Sequence, residues 1–254
     1  MAITQSHPTS GIKITESSTK GGGAEIPKYQ SSISTAQAGG GAIELRVYIF
    51  LDQMQPQLAS QVAATARGYL PIVGQASIIV EIAPGIEINR LTDIAVKATD
   101  VMPGSQVVER AFGMLEFHHD DQGSVRQSGN AILEALGKTE LDRLKPRILT
   151  SQLIRRVHDY QCQLINRTSR SANYILPGET LYILEVHPAG YANFAANEAE
   201  KAANIKLIEV RNFGAFGRLY FCGEERDVEV GMDAVHRSLE SVTGRDNSPG
   251  KKES

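Results

Sequence analysis

From Ile43 onward the chain alternates between short apolar runs and stretches in which apolar residues stand three or four apart, a pattern almost absent from residues 1–42. The runs SIIVEIA, ending at Ala83, and TLYILEV, ending at Val186, are each closed by a proline, Pro84 or Pro188, and predict strands. Leu91, Ile94, Ala95, Ala98 and Val101 then recur at helical spacing, with Asn89 placed as an N-cap. Asn193, Ala195, Ala199, Ala202 and Ile205 repeat that arrangement further on. Two strands at about 106–111 and 112–118 and a helix around Val125 to Leu136 complete the first block, with counterparts ending near Ser241. A strand and a helix precede each block, at 44–51 with 56–67 and from 147 to about 167. The predicted class is α+β, with a small sheet covered by helices.

The blocks are copies of one another. An offset of 104 residues aligns Glu81–Phe117 with Glu185–Phe221 without a gap, and eleven of the thirty-seven positions are identical. A period this long is a whole small domain and not a solenoid unit. The predicted division is a disordered N-terminal arm at 1–42, domains at 43–140 and 146–243, and a flexible tail at 244–254. Units of about one hundred residues bury little apolar surface alone, so oligomerisation is expected. Three two-domain chains can mimic six positions around an axis while letting alternate positions differ.

Composition narrows the functions. A formal net charge of -3, with 22% charged residues spread along the chain, lacks the basic excess of a nucleic-acid binder. Neither a secretory leader pattern nor an apolar run near the roughly 18 residues of a membrane span is present, so no membrane partner is expected. Cys162 and Cys222 are too few for a disulfide framework and read as reduced thiols. The glycine triplets in KGGGAE and AGGGAI lack the GK[ST] of a phosphate loop, and no HExxH, glycine-framed serine or dinucleotide fingerprint occurs. The sequence therefore points away from an enzyme, with no cofactor implied.

The segments IAVKATDVMPGSQVVERAFG and EAEKAANIKLIEVRNFGAFG resemble the most diagnostic stretch of bacterial-microcompartment shell domains, a helix with a Lys-Ala-Ala-Asn-type end, a strand and a short pore loop. Lys201-Ala202-Ala203-Asn204 matches closely and Lys97-Ala98-Thr99-Asp100 more loosely. Two such domains in one chain resemble the tandem, circularly permuted class that forms pseudohexameric homotrimers, and the long N-terminal arm and the Glu-Arg pair resemble its gated carboxysome type. The resemblance implies a shell tile in the bacterial cytoplasm, joined to other shell proteins in a sheet, with an axial pore passing small anionic metabolites such as bicarbonate and phosphorylated sugars. It also implies trimers stacked in pairs. The alternative is a soluble trimeric regulatory protein that binds a small anion.

Individual residues carry two readings. Glu109 and Arg110 are solvated turn residues on pattern alone, or a pore gate on the resemblance, in which Phe213 and Gly214 of the second copy also approach the axis. Three Glu109 carboxylates about 6 Å apart at an effective dielectric near 20 would repel by roughly 3 kcal/mol per pair, and Arg110 could neutralise them. Phe213 is otherwise a core aromatic. Lys97 and Lys201 suit helix C-termini through the helix dipole, or, on the resemblance, hold the outer edge of the tile. His118 and His119 in EFHHDDQG suggest a metal cluster at first sight, but neighbouring strand residues diverge and the run reads as a turn, so no metal is expected.

Overall fold

A computed structural model describes residues 42–168 and 173–248. The predicted arm at 1–42 lies outside these residues except for Ala42, as do residues 249–254. In the first copy, β1 (Glu44–Leu51), α1 (Pro56–Thr65), β2 (Ala76–Ala83), α2 (Ile88–Ala98), β3 (Met102–Glu109), β4 (Phe112–His119) and α3 (Gln122–Leu136) follow in order. The second gives β5 (Arg147–Ile154), α4 (Asp159–Thr168), β6 (Thr180–His187), α5 (Tyr191–Ala202), β7 (Lys206–Arg211), β8 (Gly217–Gly223) and α6 (Glu225–Ser241). Each copy builds one antiparallel sheet, ordered β1-β2-β4-β3 or β5-β6-β8-β7.

The repeat is finer than one offset. Strands β2 and β6 stand 104 residues apart, but β1 and β5 start 103 apart, and both carry a bulge at the same point, between Leu45 and Val47 and between Ile148 and Thr150. One extra residue therefore lies between the start of α4 and the start of β6, and the pairing of β5 with β6 keeps the register of β1 with β2.

The first sheet is buried on both faces. Ile78, Val80, Leu115 and Phe117 pack under α2 and α3. Val47, Ile49, Ile79 and Met114 face the other way and share a core with the second copy, including Tyr182, Phe221 and the alanines of α5. Small side chains at 192, 195, 196 and 199 let that helix lie close to the first sheet. The two copies belong to one compact unit.

Several predicted details change. Asn89 and Asn193 are inside α2 and α5 and cap neither, because the turn after each proline starts the helix earlier. Asn89 instead donates to Ile86 O and accepts from Gln106; Asn193 is buried, with its Nδ2 unpartnered among the described residues. The end of EFHHDDQG opens a helix, since the Asp121 carboxylate accepts from Gly123 and Ser124 N–H and starts α3 at Gln122. His118 is buried with Nδ1 3.1 Å from Glu116, which also accepts from Ser77 at 2.7 Å. A flexible tail is predicted from residue 244, but residues 244–248 are tied down. Arg245 pairs with the backbone of Arg143 and Lys145, and Asn247 donates to the Lys145 and His187 carbonyls.

Candidate functional site at the two hairpin tips

The β3–β4 and β7–β8 hairpins end side by side. In the first, Glu109 pairs with Phe112, leaving a two-residue tip, Arg110 and Ala111. In the second, β7 closes at Arg211 opposite Arg218, and residues 212–216 form a longer tip. A side chain added at Gly214 would lie 3.9 Å from Cγ of Glu109, so the stem of the Glu109 side chain passes beside the second tip's glycine. Three of the four residues assigned to the pore by sequence, Glu109, Phe213 and Gly214, thus line one shallow depression with Arg211 and Arg218. Arg110, the fourth, is exposed on the adjoining turn and is not part of that lining. Among the described residues no ion pair joins Glu109 to Arg110 within the chain.

Arg110 and Gly214 are the same position of the repeat, and both have positive φ, 53° and 101°. The turn geometry demands a left-handed residue there, which glycine adopts freely and arginine does not. The first copy keeps a guanidinium in a conformation that costs on the order of 1 kcal/mol. Replacing Arg110 with glycine is therefore expected to leave stability unchanged or slightly raised, whereas Arg110→Val, β-branched, is expected to cost about 1 kcal/mol more. Urea unfolding of the two variants checks both.

The tips rest on a polar bridge that the sequence does not announce. The Arg46 guanidinium lies 3.8 Å from the centre of the Phe112 ring, donates to buried Glu81 at 2.8 Å and contacts His187 Nε2 at 2.9 Å. The His187 ring meets Phe216 edge-on at 6.1 Å. Phe112 and Phe216 are the repeat-identical aromatics at the base of each tip, so Arg46 and His187 connect the two. An arginine can only donate, so Nε2 of His187 is the acceptor and Nδ1–H donates to Asn247 Oδ1 at 3.1 Å.

That tautomer leaves no place for a second proton. Burial first, then the charges of Arg46 and Arg147, holds His187 below its ordinary value of 6.5. The unfolded chain thus takes up a proton at a higher pH than the folded one, so this contribution to stability is present above 6.5 and lost as the pH falls below it. Urea midpoints measured at pH 7.5 and 5.5 are expected to decline, with a smaller decline in His187→Gln, which keeps an acceptor for Arg46.

The lysines stand where helix ends place them. Lys97 is exposed on the last turn of α2, 2.6 Å from Asp93. Lys201, on the last turn of α5, reaches Asp52 of the first copy at 2.9 Å and Glu198 at 3.1 Å. Arg211 and Arg218 could have been found from sequence, since they flank the second tip; Arg46 and His187, 141 residues apart, carry no such signal. Among the described residues no cluster of potential metal ligands occurs, and no helix is long and apolar enough to cross a membrane.

The model of the CsoS1D N-terminal domain matches residues 45–142. The carboxysome shell protein CcmP of Synechococcus elongatus is 53% identical over 205 residues, covering 81% of this chain and 96% of that protein. The carboxysome shell protein CsoS1D of Hydrogenovibrio crunogenus is 46% identical over 203 residues, covering 80% and 99%. Two solved structures from the RMM microcompartment are also similar. One, a fused permuted hexameric shell protein, has 42% identity and a TM-score of 0.77, covering 80% of this chain and 99% of that one. The other, a double ringed trimeric shell protein, has 38% identity and a TM-score of 0.78, covering 81% and 100%.

Proposed function

The chain belongs to the carboxysome shell-protein family and is a structural tile of the microcompartment shell, and from that premise we propose that it forms a pseudohexameric homotrimer with a gated pore on the three-fold axis. This role replaces the alternative of a soluble anion-binding regulator. The hexameric and trimeric descriptions of two close structural relatives support the ring. Six domains from three chains put three copies of each tip around one axis, with Glu109 and Arg110 alternating with Phe213 and Gly214.

The observation that carries the gate is Arg110 in the left-handed region at the position where the other copy has glycine. Strain of this kind persists where function holds it. With the Arg110 side chains turned to the Glu109 carboxylates of neighbouring chains, charge-assisted pairs close the opening. With them turned out, the guanidiniums of Arg110, Arg211 and Arg218 leave a cationic passage that draws small anions, bicarbonate and phosphorylated sugars among them. The chain acts as a conduit and carries out no catalysis of its own.

The test is the structure of a Glu109→Ala/Arg110→Ala chain. Trimers are expected to persist with the axis open; an axis still occluded in that variant overturns the gate. Extended sheets of the unaltered protein under the electron microscope are the corresponding check on tiling.

A further inference from the structure

The two tips are fastened differently. Both hairpins rest on the turn after a proline, since a Cβ at Gly113 or Gly217 would run into the carbonyl of Gly85 or of Ala189. The first tip has further ties. Gly85 N–H donates to Ala111 O at 2.8 Å, Gln106 donates to Asn89 at 2.7 Å, and the Phe112 ring lies against Arg46, which buried Glu81 holds.

The second tip lacks these. No bond from Ala189 N–H to Ala215 O occurs among the described residues, and Gly190 N–H goes to Glu81 at 2.8 Å. The tip is also longer, and Phe216 at its base is 45% exposed. Among the described residues the one ring that Phe216 meets is His187. That imidazole is itself held at both nitrogens, Nε2 accepting from Arg46 and Nδ1–H donating to Asn247, which is anchored on the Lys145 and His187 carbonyls.

We propose that His187 is a positioning residue for the gate: its neutral ring latches the second tip, and a second proton on the ring releases that tip. The inference rests on the gated-pore reading above and names the gate's regulation. The proton occupies the lone pair with which Nε2 accepts from Arg46, so a hydrogen bond becomes a contact of two cations 2.9 Å apart. The charges around the ring are Arg46 and Glu44 from β1, Arg147 from β5, and Glu81 from β2 behind Arg46. Glu81 is already engaged by Arg46 and Gly190 N–H, and Glu44 by Arg46 and Arg245, so no free carboxylate offsets the new charge. The imidazolium turns from Arg46 and leaves the edge of Phe216. Arg46 stays on Phe112, because Glu81 holds it in either state of His187. Only the second tip is freed, and Gly214 no longer stands beside the Glu109 stem. Burial, Arg46 and Arg147 place the release below pH 6.5.

The chain has no tryptophan, so Phe213→Trp, half-buried on the second tip, reports that tip alone. Its emission is expected to shift to the red between pH 7.5 and 5.5, with circular dichroism and sedimentation unchanged, and to stay constant when His187→Gln is added. Asn247→Asp sets a carboxylate against Nδ1–H and favours the charged ring, so it is expected to move the midpoint of the shift to higher pH, which lost packing would not do. No shift in Phe213→Trp, or a shift that survives His187→Gln, overturns the latch. Hydrogen exchange of the unaltered chain is a second measurement that needs no variant to fold. Corrected for the intrinsic effect of pH, residues 212–216 are expected to exchange faster at pH 5.5 than at 7.5 and residues 110–111 equally at both; tips that respond alike overturn the latch. The gate is judged separately. A shift that follows His187, with an axis still occluded in Glu109→Ala/Arg110→Ala, supports the latch and overturns the gate; an open axis with no shift does the reverse.

Discussion

An Arg46→Met chain is expected to lose about 3–5 kcal/mol of unfolding free energy at neutral pH, the range seen when one member of a buried ion pair is removed and the other stays. Glu81 is 1% exposed and draws on Arg46 for its nearest charge. Without the guanidinium, the carboxylate keeps the Gly190 N–H but must either hold an uncompensated charge or take up a proton. Burial already pushes Glu81 upward against the pull of Arg46, so the variant pushes it further. A carboxyl with a raised folded value contributes stability below its unfolded value and loses it as the pH rises through the folded one. The deficit of Arg46→Met relative to the unaltered chain is therefore expected to shrink between pH 7 and pH 5. Adding Glu81→Gln removes the stranded charge and is expected to recover more than half of the loss. Urea unfolding of the single and double variants decides; a deficit that does not change with pH and is not relieved by Glu81→Gln would place the effect in lost packing on Phe112.

We propose that Lys97 and Lys201 hold the edge of the tile, so that charge reversal at both, Lys97→Asp with Lys201→Asp, is expected to abolish sheets while trimers survive. If each lysine contributes about 1 kcal/mol at the tile edge, six per trimer amount to roughly 6 kcal/mol, a factor on the order of 10⁴ in lateral association. The two sites differ in their surroundings. Lys97 pairs with Asp93 on its own helix, whereas Lys201 reaches across to Asp52 as well as to Glu198, so reversal at 201 also gathers three carboxylates at the internal junction. Lys201→Ala with Lys97→Asp separates these effects, because it removes the edge cation without adding the third carboxylate. Electron microscopy for sheets and sedimentation for trimers are the two readouts, and intact sheets from the double reversal would remove the lysines from the edge.

Elements and their order were legible in the sequence because each is fixed by local pattern. The alternation in TLYILEV and the spacing of Leu91, Ala95 and Ala98 give β6 and α2 with no knowledge of the rest of the chain. The repeat made the tips comparable, and so made Glu109 and Arg110 conspicuous against Phe213 and Gly214. Caps were less legible. Asn89 and Asn193 have the right side chain for a cap, but the turns after Pro84 and Pro188 had already begun the helices. Least legible were contacts between the copies. Nothing local marks Gln57 as a partner of Leu207, or Arg46 as a partner of His187, because such pairs are chosen by the docking of one finished sheet on another helix. The pinning of residues 244–248 is of the same kind: a polar segment reads as loose until the groove beside Arg143 and Lys145 is known to exist.

The shared core has a consequence for synthesis. Val47, Ile49, Ile79 and Met114 are complete as a sheet face once the first copy has emerged, but the rest of the core they share, including the alanines of α5, lies some distance further along the chain. At about 5–20 residues per second the ribosome needs roughly 5–20 s to make the next hundred residues. Through that interval the nascent first copy carries an apolar face with no partner of its own, open to its duplicate on the same polysome, and its capture by the correct second copy becomes a race in time as well as a fit in space.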